Sequence, residues 1–419
     1  MKAGGRKFMK DPIHGYVEIR GVELALVDTE TFQRLRRIKQ LAGSEYVYPG
    51  AIHTRFEHSL GVMHLAGIMG ASLLEDTGED FVEALRIAGL LHDVGHGPFS
   101  HTFEPVLERK TGKTHEDLTV WLVRESELAD ILSAHGYDPR DISLLSIGVG
   151  GAPPYVAQVI RSAFDADKLD FTVRDSYHTG AGYMVDIHRL AMNIGVVEGK
   201  LGLSEKALPA LEALLMTRVL LFRSIYYHKT SRAVQVMLEK AIDMIADDVL
   251  EIEEVIKDPE RFIELDDCSV WEMLRRDQRS RPIIKSLMRR RLLKVVYEVV
   301  MYPRVEEGLI IRNPAVREGL REEISERAGV PREDVFIDTP SLRTLPSPEV
   351  AREPVIIFRG EKDEKVRVEV PVFSPVLESL ERSVMSIVRV YTWPEHVAKV
   401  REAALKVLRR EGFEYRVSM

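Results

Sequence analysis

Through the first half of the chain apolar residues recur every three or four positions, the spacing of helices with one buried face. Phe32, Leu35, Ile38 and Leu41 keep this period, and Asp28 or Thr29 ahead of them can cap the first turn. A second helix carries Phe56, Leu60, Met63 and Ile68 and ends near Gly78. A third runs from Asp80 to Asp93 with Phe81, Leu85, Ala88 and Leu91 on one face, until Gly95, Gly97 and Pro98 break it. Helical spacing returns over 116–124, 156–164, 166–177, 208–228 and 231–256.

The period then changes. Residues 354–358 and 365–370 are rich in valine and isoleucine, and Gly360-Glu361-Lys362-Asp363 between them reads as a hairpin turn. Residues 386–392 form a further predicted strand and 395–410 a closing helix. The pattern predicts a mainly α protein, with a helical domain over residues 1–240 and an α+β region over 241–419.

Composition narrows the function. The 419 residues include 58 Lys and Arg against 66 Asp and Glu, a formal net charge of −8. Neutralising a nucleic-acid backbone needs a basic surface, so no nucleic-acid partner is expected. A small anionic substrate stays within reach, because one local cationic pocket suffices. Cys268 is the only cysteine, which excludes an internal disulfide and a thiolate metal cluster. Met1 to Asp11 is basic without the apolar core of a signal peptide, and no run of about 18 apolar residues occurs. A cytoplasmic protein with no membrane span is expected.

Seven of the 13 histidines fall between His53 and His115. The centre of this region is His92-Asp93-Val94-Gly95-His96-Gly97-Pro98-Phe99-Ser100-His101. An apolar helix that runs into two ionisable residues buries them unfavourably unless they are paired or hold a metal. Imidazole with carboxylate suits a first-row divalent ion, whereas an all-oxygen set would suit magnesium or calcium. Adjacent helical residues point about 100° apart, so both reach one ion only near a helix end. The Gly95, Gly97 and Pro98 break supplies that end, and further ligands must come from elsewhere in the chain. Isolated histidines such as His135, His188 and His396 read as surface or satisfied core residues.

Other stretches complete a pattern between Lys7 and Lys229. They are Asp11-Pro12-Ile13-His14-Gly15, Phe32-Gln33-Arg34-Leu35-Arg36, Lys39-Gln40-Leu41, Arg55-Phe56-Glu57-His58-Ser59-Leu60-Gly61, Asp165 to Asp175 and Tyr226 to Lys229. In order and spacing this resembles the HD superfamily of phosphohydrolases. More narrowly it resembles the deoxynucleoside triphosphate triphosphohydrolases of the vertebrate SAM-and-HD-domain and bacterial dGTPase types. The resemblance implies an HD-domain helical bundle, expected without a SAM domain ahead of it for lack of room.

It also implies metal ligands at His58, His92, Asp93 and Asp167, around one divalent ion of manganese, iron, nickel, zinc, cobalt or magnesium. Such an ion lowers the pKa of bound water and polarises phosphoryl oxygens, with magnesium accompanying the substrate phosphates. His96, His101, Glu104 and His115 would form the next catalytic layer, His101 being the acid that protonates the leaving 5′ oxygen. Glu104 stands where the family usually has aspartate; it keeps the charge that favours a protonated histidine and adds a methylene. Read bare, His115-Glu116 simply begins a helix.

For the substrate, the resemblance implies Arg55, Lys168 and Arg218 on the phosphates. Gln40 and Asp175 would bind the sugar 3′-hydroxyl, with Leu41 beneath it. Tyr226 would sit against the 2′ carbon, where a ribose hydroxyl clashes. Each cation also reads as ordinary surface charge, and Tyr226-Tyr227 as core aromatics. Two residues depart from the vertebrate pattern: Phe171 stands for a tyrosine and Phe222 for a histidine, and each loses a polar contact that discriminates between substrates.

A guanine-nucleotide activator is implied at Lys7, Asp28, Gln33 and Arg36, between subunits of a homo-oligomer, dimer or tetramer. A carboxylate accepts from guanine N1 and N2 while arginine donates to O6. Read bare, Asp28 is a helix cap and Arg36 a solvated face. The expected reaction releases deoxynucleoside and inorganic triphosphate through attack at the α-phosphorus. The alternatives are another HD phosphohydrolase, a nucleotidase or a phosphodiesterase of cyclic or alarmone nucleotides, and a non-catalytic nucleotide sensor.

Overall fold

The computed structural model describes residues 5–77, 81–150, 153–301, 311, 313–343, 355–360, 365–368, 374 and 384–410. The chain opens with an antiparallel hairpin, Arg6–Asp11 against Gly15–Arg20, whose Val17 and Ile19 are fully buried. Thr29, and not Asp28, caps the Glu30–Gln33 helix, its hydroxyl accepting from the Phe32 N–H at 3.2 Å. The period through Leu41 predicts a longer helix than the chain makes. After Gln33 the backbone tightens into a 3-10 turn over Arg34–Arg37, and Ile38 is extended. The cause is tertiary: Asp267 takes the Lys39 N–H and the His53 carbonyl takes the Gln40 N–H, each at 3.0 Å. Neither amide is left to continue a helix.

Arg34 anchors this turn. Its guanidinium is fully buried over the Phe262 ring and donates to the carbonyls of Leu265 at 2.7 Å, Val94 at 3.3 Å and His96 at 2.7 Å. Burial pushes its pKa down to about 9, against the pull of Asp266 and Asp267. Arg34→Met would strip three buried carbonyls of their donor and is expected to destabilise the fold by about 3 kcal/mol. The check is a lower denaturant midpoint at unchanged slope. A loss below about 1 kcal/mol would mean that water takes over the three bonds.

The Arg55–Thr77 helix is apolar nearly all round, so it becomes the central helix between two cores. Leu60 and Met63 face one core with Leu90, Phe103, Leu118 and Met237. Val62, Leu65 and Met69 face the other with Leu85, Val159, Leu169 and Leu211. The Val82–Leu91 helix packs beside it; the boundaries expected at Gly78 and Asp80 lie outside the described residues. The expected segment 208–228 is a helix over Leu208–Leu221 that widens into a π-turn over Phe222–Tyr226. Position 240 falls within the Lys229–Ile245 helix, and the first core continues to Leu293.

Two sheets follow. Val384–Thr392 is the central strand of one, antiparallel to Lys294–Met301 on one side and Val335–Asp338 on the other, with Ser341–Arg343 also paired to it. Helices Pro314–Ala328 and Val397–Arg410 cover it through Ile324, Val400 and Val407. In the second sheet Ile356–Arg359 pairs antiparallel with Val366–Val368, as the hairpin pattern predicts. Residues 354, 361–363, 369 and 370 of that expectation lie outside the described residues. The other edge of Ile356–Arg359 joins Lys200–Ser204 in parallel, and Ile194–Val197 completes the sheet, a pairing the sequence period does not reveal. Among the described residues no helix is long and apolar enough to cross a membrane.

Candidate active site

The Val82–Leu91 helix ends at His92, so His92 and Asp93 leave it at its C-terminal turn. His92 Nδ1 donates to the Gly89 carbonyl at 2.8 Å, and Nε2 is buried without a hydrogen-bond partner. On the neighbouring Arg55–Thr77 helix His58 is turned the same way. Its Nδ1 donates to Asp170 Oδ2 at 2.7 Å, and its Nε2 faces Asp167 Oδ1 at 3.1 Å. Ligand atoms of His58, His92 and Asp93 lie within 4.8 Å of one another, and Asp167 Oδ1 stands 3.8 Å from His92 Nε2. Two imidazoles with their other nitrogens engaged, and carboxylates facing them, fit a divalent metal ion. Burial alone would raise the Asp93 carboxyl, but Arg55 at 2.5 Å, then His92 and His96, hold it well below the usual range.

Behind His58 stands a brace that sequence reasoning does not single out. On the Ala166–Thr179 helix, Asp170 comes three residues after Asp167 and four before Arg174, which places all three on one face. Asp170 accepts from His14 Nε2 at 2.6 Å and from Arg174 Nε at 2.7 Å, besides its bond from His58. Arg174 reaches on to Asp11 Oδ2 at 2.9 Å. A carboxylate behind a ligating imidazole fixes the tautomer and the aim of the ring.

The His-Gly loop is built by close approach and strain. At Gly95 a Cβ would lie 2.2 Å from the Thr119 nitrogen, so only glycine lets the His115–Glu125 helix come this near. That approach stacks His115 on His96 at 4.0 Å between ring centres. Phe99 and Ser100 both adopt left-handed backbone, φ 59° and 52°, unfavourable for side-chain-bearing residues. Asp267 secures the bend by accepting the Phe99 N–H at 2.6 Å; burial pushes its carboxyl up to about 6. Ser100 accepts from Arg55 Nε and donates to the Lys39 carbonyl, each at 2.7 Å.

The bend delivers His101, exposed at the surface of the site. Glu104 Oε2 lies 3.1 Å from His101 Nδ1, and its other oxygen binds His115 Nδ1, so the longer glutamate still spans the two rings. Burial opposes ionisation of Glu104, but the bonds from His101 and His115 hold its carboxyl far below the usual range. Burial also opposes a charge on His115, and the Glu104 bond outweighs it and raises the ring's pKa. His96 is pushed down by burial, then by Arg55 and His115.

Gln40, Arg55, His92, Asp93, His96, His101, His115, Asp167, Lys168, Phe171 and Arg218 line one cavity of 350 Å³. Arg218 is buried there with Nε and Nη1 unpartnered, and Arg55 Nη2 is likewise without a partner. Lys168 Nζ rests on Asp165 at 2.6 Å. His58, Glu104, Leu41, Asp175 and Tyr226 are not part of the lining. Asp175 and Tyr226 meet each other instead, the Tyr226 hydroxyl donating to Asp175 Oδ2 at 2.5 Å. The Tyr226 ring meets the edges of Phe222 at 4.7 Å and Phe171 at 6.4 Å.

Lys7, Asp28, Gln33 and Arg36 stand apart from the cavity. Lys7 is 3.8 Å from the exposed Asp28, Gln33 accepts from Arg36 Nε at 2.8 Å and donates to the Val27 carbonyl, and Arg36 lies 3.5 Å over Phe56. Besides Asp170, the motif residues His14, Asp165 and Arg174 carry no assigned role in the sequence pattern, and His53 and Asp267 are assigned none either. Helical spacing around Asp167 could have found Asp170 and Arg174, and no local signal marks the others.

Fold and site together define a helical-bundle protein with a histidine–aspartate centre able to hold a metal. The family model described as HD domain matches residues 55–170, and that of the HD associated region matches 185–414. The chain belongs to the HD-domain family. It is similar to the deoxynucleoside triphosphate triphosphohydrolase SAMHD1 homolog of Dictyostelium discoideum, 34% identical over 324 residues, 70% of this chain and 61% of that protein. The chain thus spans less than two thirds of the length of that relative. An uncharacterized protein of Methanocaldococcus jannaschii is 30% identical over 410 residues, 96% of this chain and 82% of its own length. A crystal structure of a hypothetical protein from Aquifex aeolicus superposes with a TM-score of 0.78 at 28% identity, over 95% of this chain and 100% of that one.

Proposed function

We propose that this chain hydrolyses deoxynucleoside triphosphates to deoxynucleoside and inorganic triphosphate, with a divalent metal ion held by His58, His92, Asp93 and Asp167. The observation that carries the reading is Arg218, a buried guanidinium with two unpartnered nitrogens in the cavity that His92, Asp93 and Asp167 also line. A buried cation without acceptors is unfavourable, and phosphate oxygens supply acceptors of the right geometry. Similarity to a named triphosphohydrolase supports the choice of substrate.

When bound, the ion supplies Lewis acidity toward a phosphoryl oxygen and makes water a stronger acid. Arg55, Lys168 and Arg218 hold the phosphate chain. Glu104 fixes His101 through Nδ1, so that its other nitrogen delivers a proton to the leaving 5′ oxygen. His115, bound to the same glutamate, and His96, stacked on it, keep that pair in place. Gln40 and Asp175 bind the 3′-hydroxyl above Leu41, while Tyr226, braced by Phe171 and Phe222, closes the 2′ side. In the same reading Lys7, Asp28, Gln33 and Arg36 take a guanine nucleotide between subunits of a dimer or tetramer. Residues 1–240 carry the chemistry, and 241–419 serve assembly or regulation.

The test is a product-resolved assay of each deoxynucleotide across magnesium, manganese and nickel. Deoxynucleoside and triphosphate are expected in equal amounts. Monophosphate with pyrophosphate, or orthophosphate released first, overturns the regiochemistry. Chelation is expected to stop turnover and metal to restore it; undiminished turnover in protein shown metal-free by elemental analysis removes the ion from the reaction.

A further inference from the structure

His53 has no place in the reaction as described, yet it touches both groups assigned to the 3′-hydroxyl. Its backbone carbonyl accepts the Gln40 N–H at 3.0 Å, and its side chain donates from Nε2 to Asp175 Oδ1 at 2.7 Å. The other Asp175 oxygen is taken by Tyr226. The two oxygens of one buried carboxylate are therefore claimed by two donors, one in the segment before the Arg55–Thr77 helix and one in the π-turn.

The ring itself has no freedom. Its bond to Asp175 fixes the direction of Nε2, and stacking on His178, 4.4 Å away and inclined by 14°, fixes the ring plane. Asp175 and His178 lie three residues apart on one helix, so a single rigid element supplies both constraints. Gly50 seats the segment: a Cβ there would lie 2.4 Å from the His178 carbonyl oxygen. Packing alone does not explain an imidazole at this place. His53 Nδ1 is buried and has no partner, whereas an apolar ring of the same shape would leave nothing unpaired.

We propose that His53 is the positioning residue of the sugar site, holding Asp175 so that its free lone pairs meet the 3′-hydroxyl and Tyr226, bound to the same carboxylate, stays in place on the 2′ side. This rests on the reading of Asp175 and Tyr226 given above. Without the His53 donor, Asp175 turns about its side-chain bonds, Tyr226 follows it, and recognition of both sugar positions loosens together.

The experiment compares kcat/KM for a 2′-deoxynucleoside triphosphate, its 2′,3′-dideoxy analogue and the ribonucleotide, in wild type, His53→Phe, His53→Asn and His53→Gln. Affinities of analogues in which a methylene replaces the 5′ bridging oxygen, so that the bond broken in this reaction is absent, give the same comparison by calorimetry whether or not turnover is seen. Wild type is expected to prefer the deoxynucleotide over both others. His53→Phe, which has no donor, and His53→Asn, whose amide stops short of the Nε2 position, are expected to weaken both preferences by about tenfold or more at unchanged metal content. His53→Gln, whose amide donates from near the Nε2 position, is expected to restore most of each preference. If wild type discriminates and folded His53→Phe and His53→Asn discriminate equally well, the positioning role is overturned and the sugar reading stands. If wild type shows no preference for a 3′-hydroxyl, Asp175 does not read the sugar and the proposal falls with it.

Discussion

Asp93→Asn is expected to leave the protein without stoichiometric metal and to lower turnover by roughly a thousandfold or more. The substitution keeps the size of the side chain and one oxygen, removes the charge and turns the other acceptor into a donor. That charge does three things. It faces His92 Nε2 at 3.2 Å, it pairs with Arg55 at 2.5 Å, and it meets His96 Nε2 at 3.3 Å. With asparagine the centre keeps one carboxylate of two, while Arg55 becomes a buried cation with no anion beside it. Such a cation repels a divalent ion and is itself destabilising to the fold. Elemental analysis after gel filtration and kcat at saturating metal separate the two consequences. Stoichiometric metal with turnover within about tenfold of wild type would take Asp93 out of the ligand set.

How much of this was legible follows from the distance along the chain between partners. His92 and Asp93 stand out because the helix, its break and the two ionisable groups are all local. Asp170 does not stand out, because its partners His58 and His14 lie 112 and 156 residues away, and a buried carboxylate is written like an exposed one. The same reason explains the helix expected through Leu41. The apolar period there is real, since Phe32, Leu35 and Ile38 are all fully buried. What ends the helix is Asp267 on the Lys39 amide, 228 residues on. Ile194–Val197 and Lys200–Ser204 escape for another reason: strands of four and five residues, each interrupted by glycine, carry too little alternation to register. Residues 386–392, continuously rich in β-branched side chains, could be read directly, and they form the centre of a sheet. Glutamate at position 104 left the geometry open, because only the fold brings His115 close enough for the longer side chain to span it and His101.

Gly61→Ala is expected to destabilise the protein by about 3–5 kcal/mol, against the propensity of alanine for helices. In an open helical position the change from glycine to alanine is worth about 1 kcal/mol of stabilisation. Gly61 lies within the Arg55–Thr77 helix, but its Cβ would fall 2.0 Å from Asp170 Oδ1 and 2.6 Å from Arg174 Nη2. Asp170 has nowhere to retreat. It is fully buried and already accepts from His14, His58 and Arg174, so displacing it breaks bonds among charged groups that no water reaches. The displacement also frees His58 from the carboxylate that aims it, and metal affinity is expected to fall about 10–100-fold. Gly319 supplies the control. It sits exposed in the Pro314–Ala328 helix with nothing within 4 Å of its Cβ, and Gly319→Ala is expected to stabilise by up to about 1 kcal/mol. Denaturant melts and competitive metal titration of both variants decide the matter. Equal stabilisation by the two alanines, or unchanged metal affinity in Gly61→Ala, would show that Asp170 neither crowds Gly61 nor aims His58.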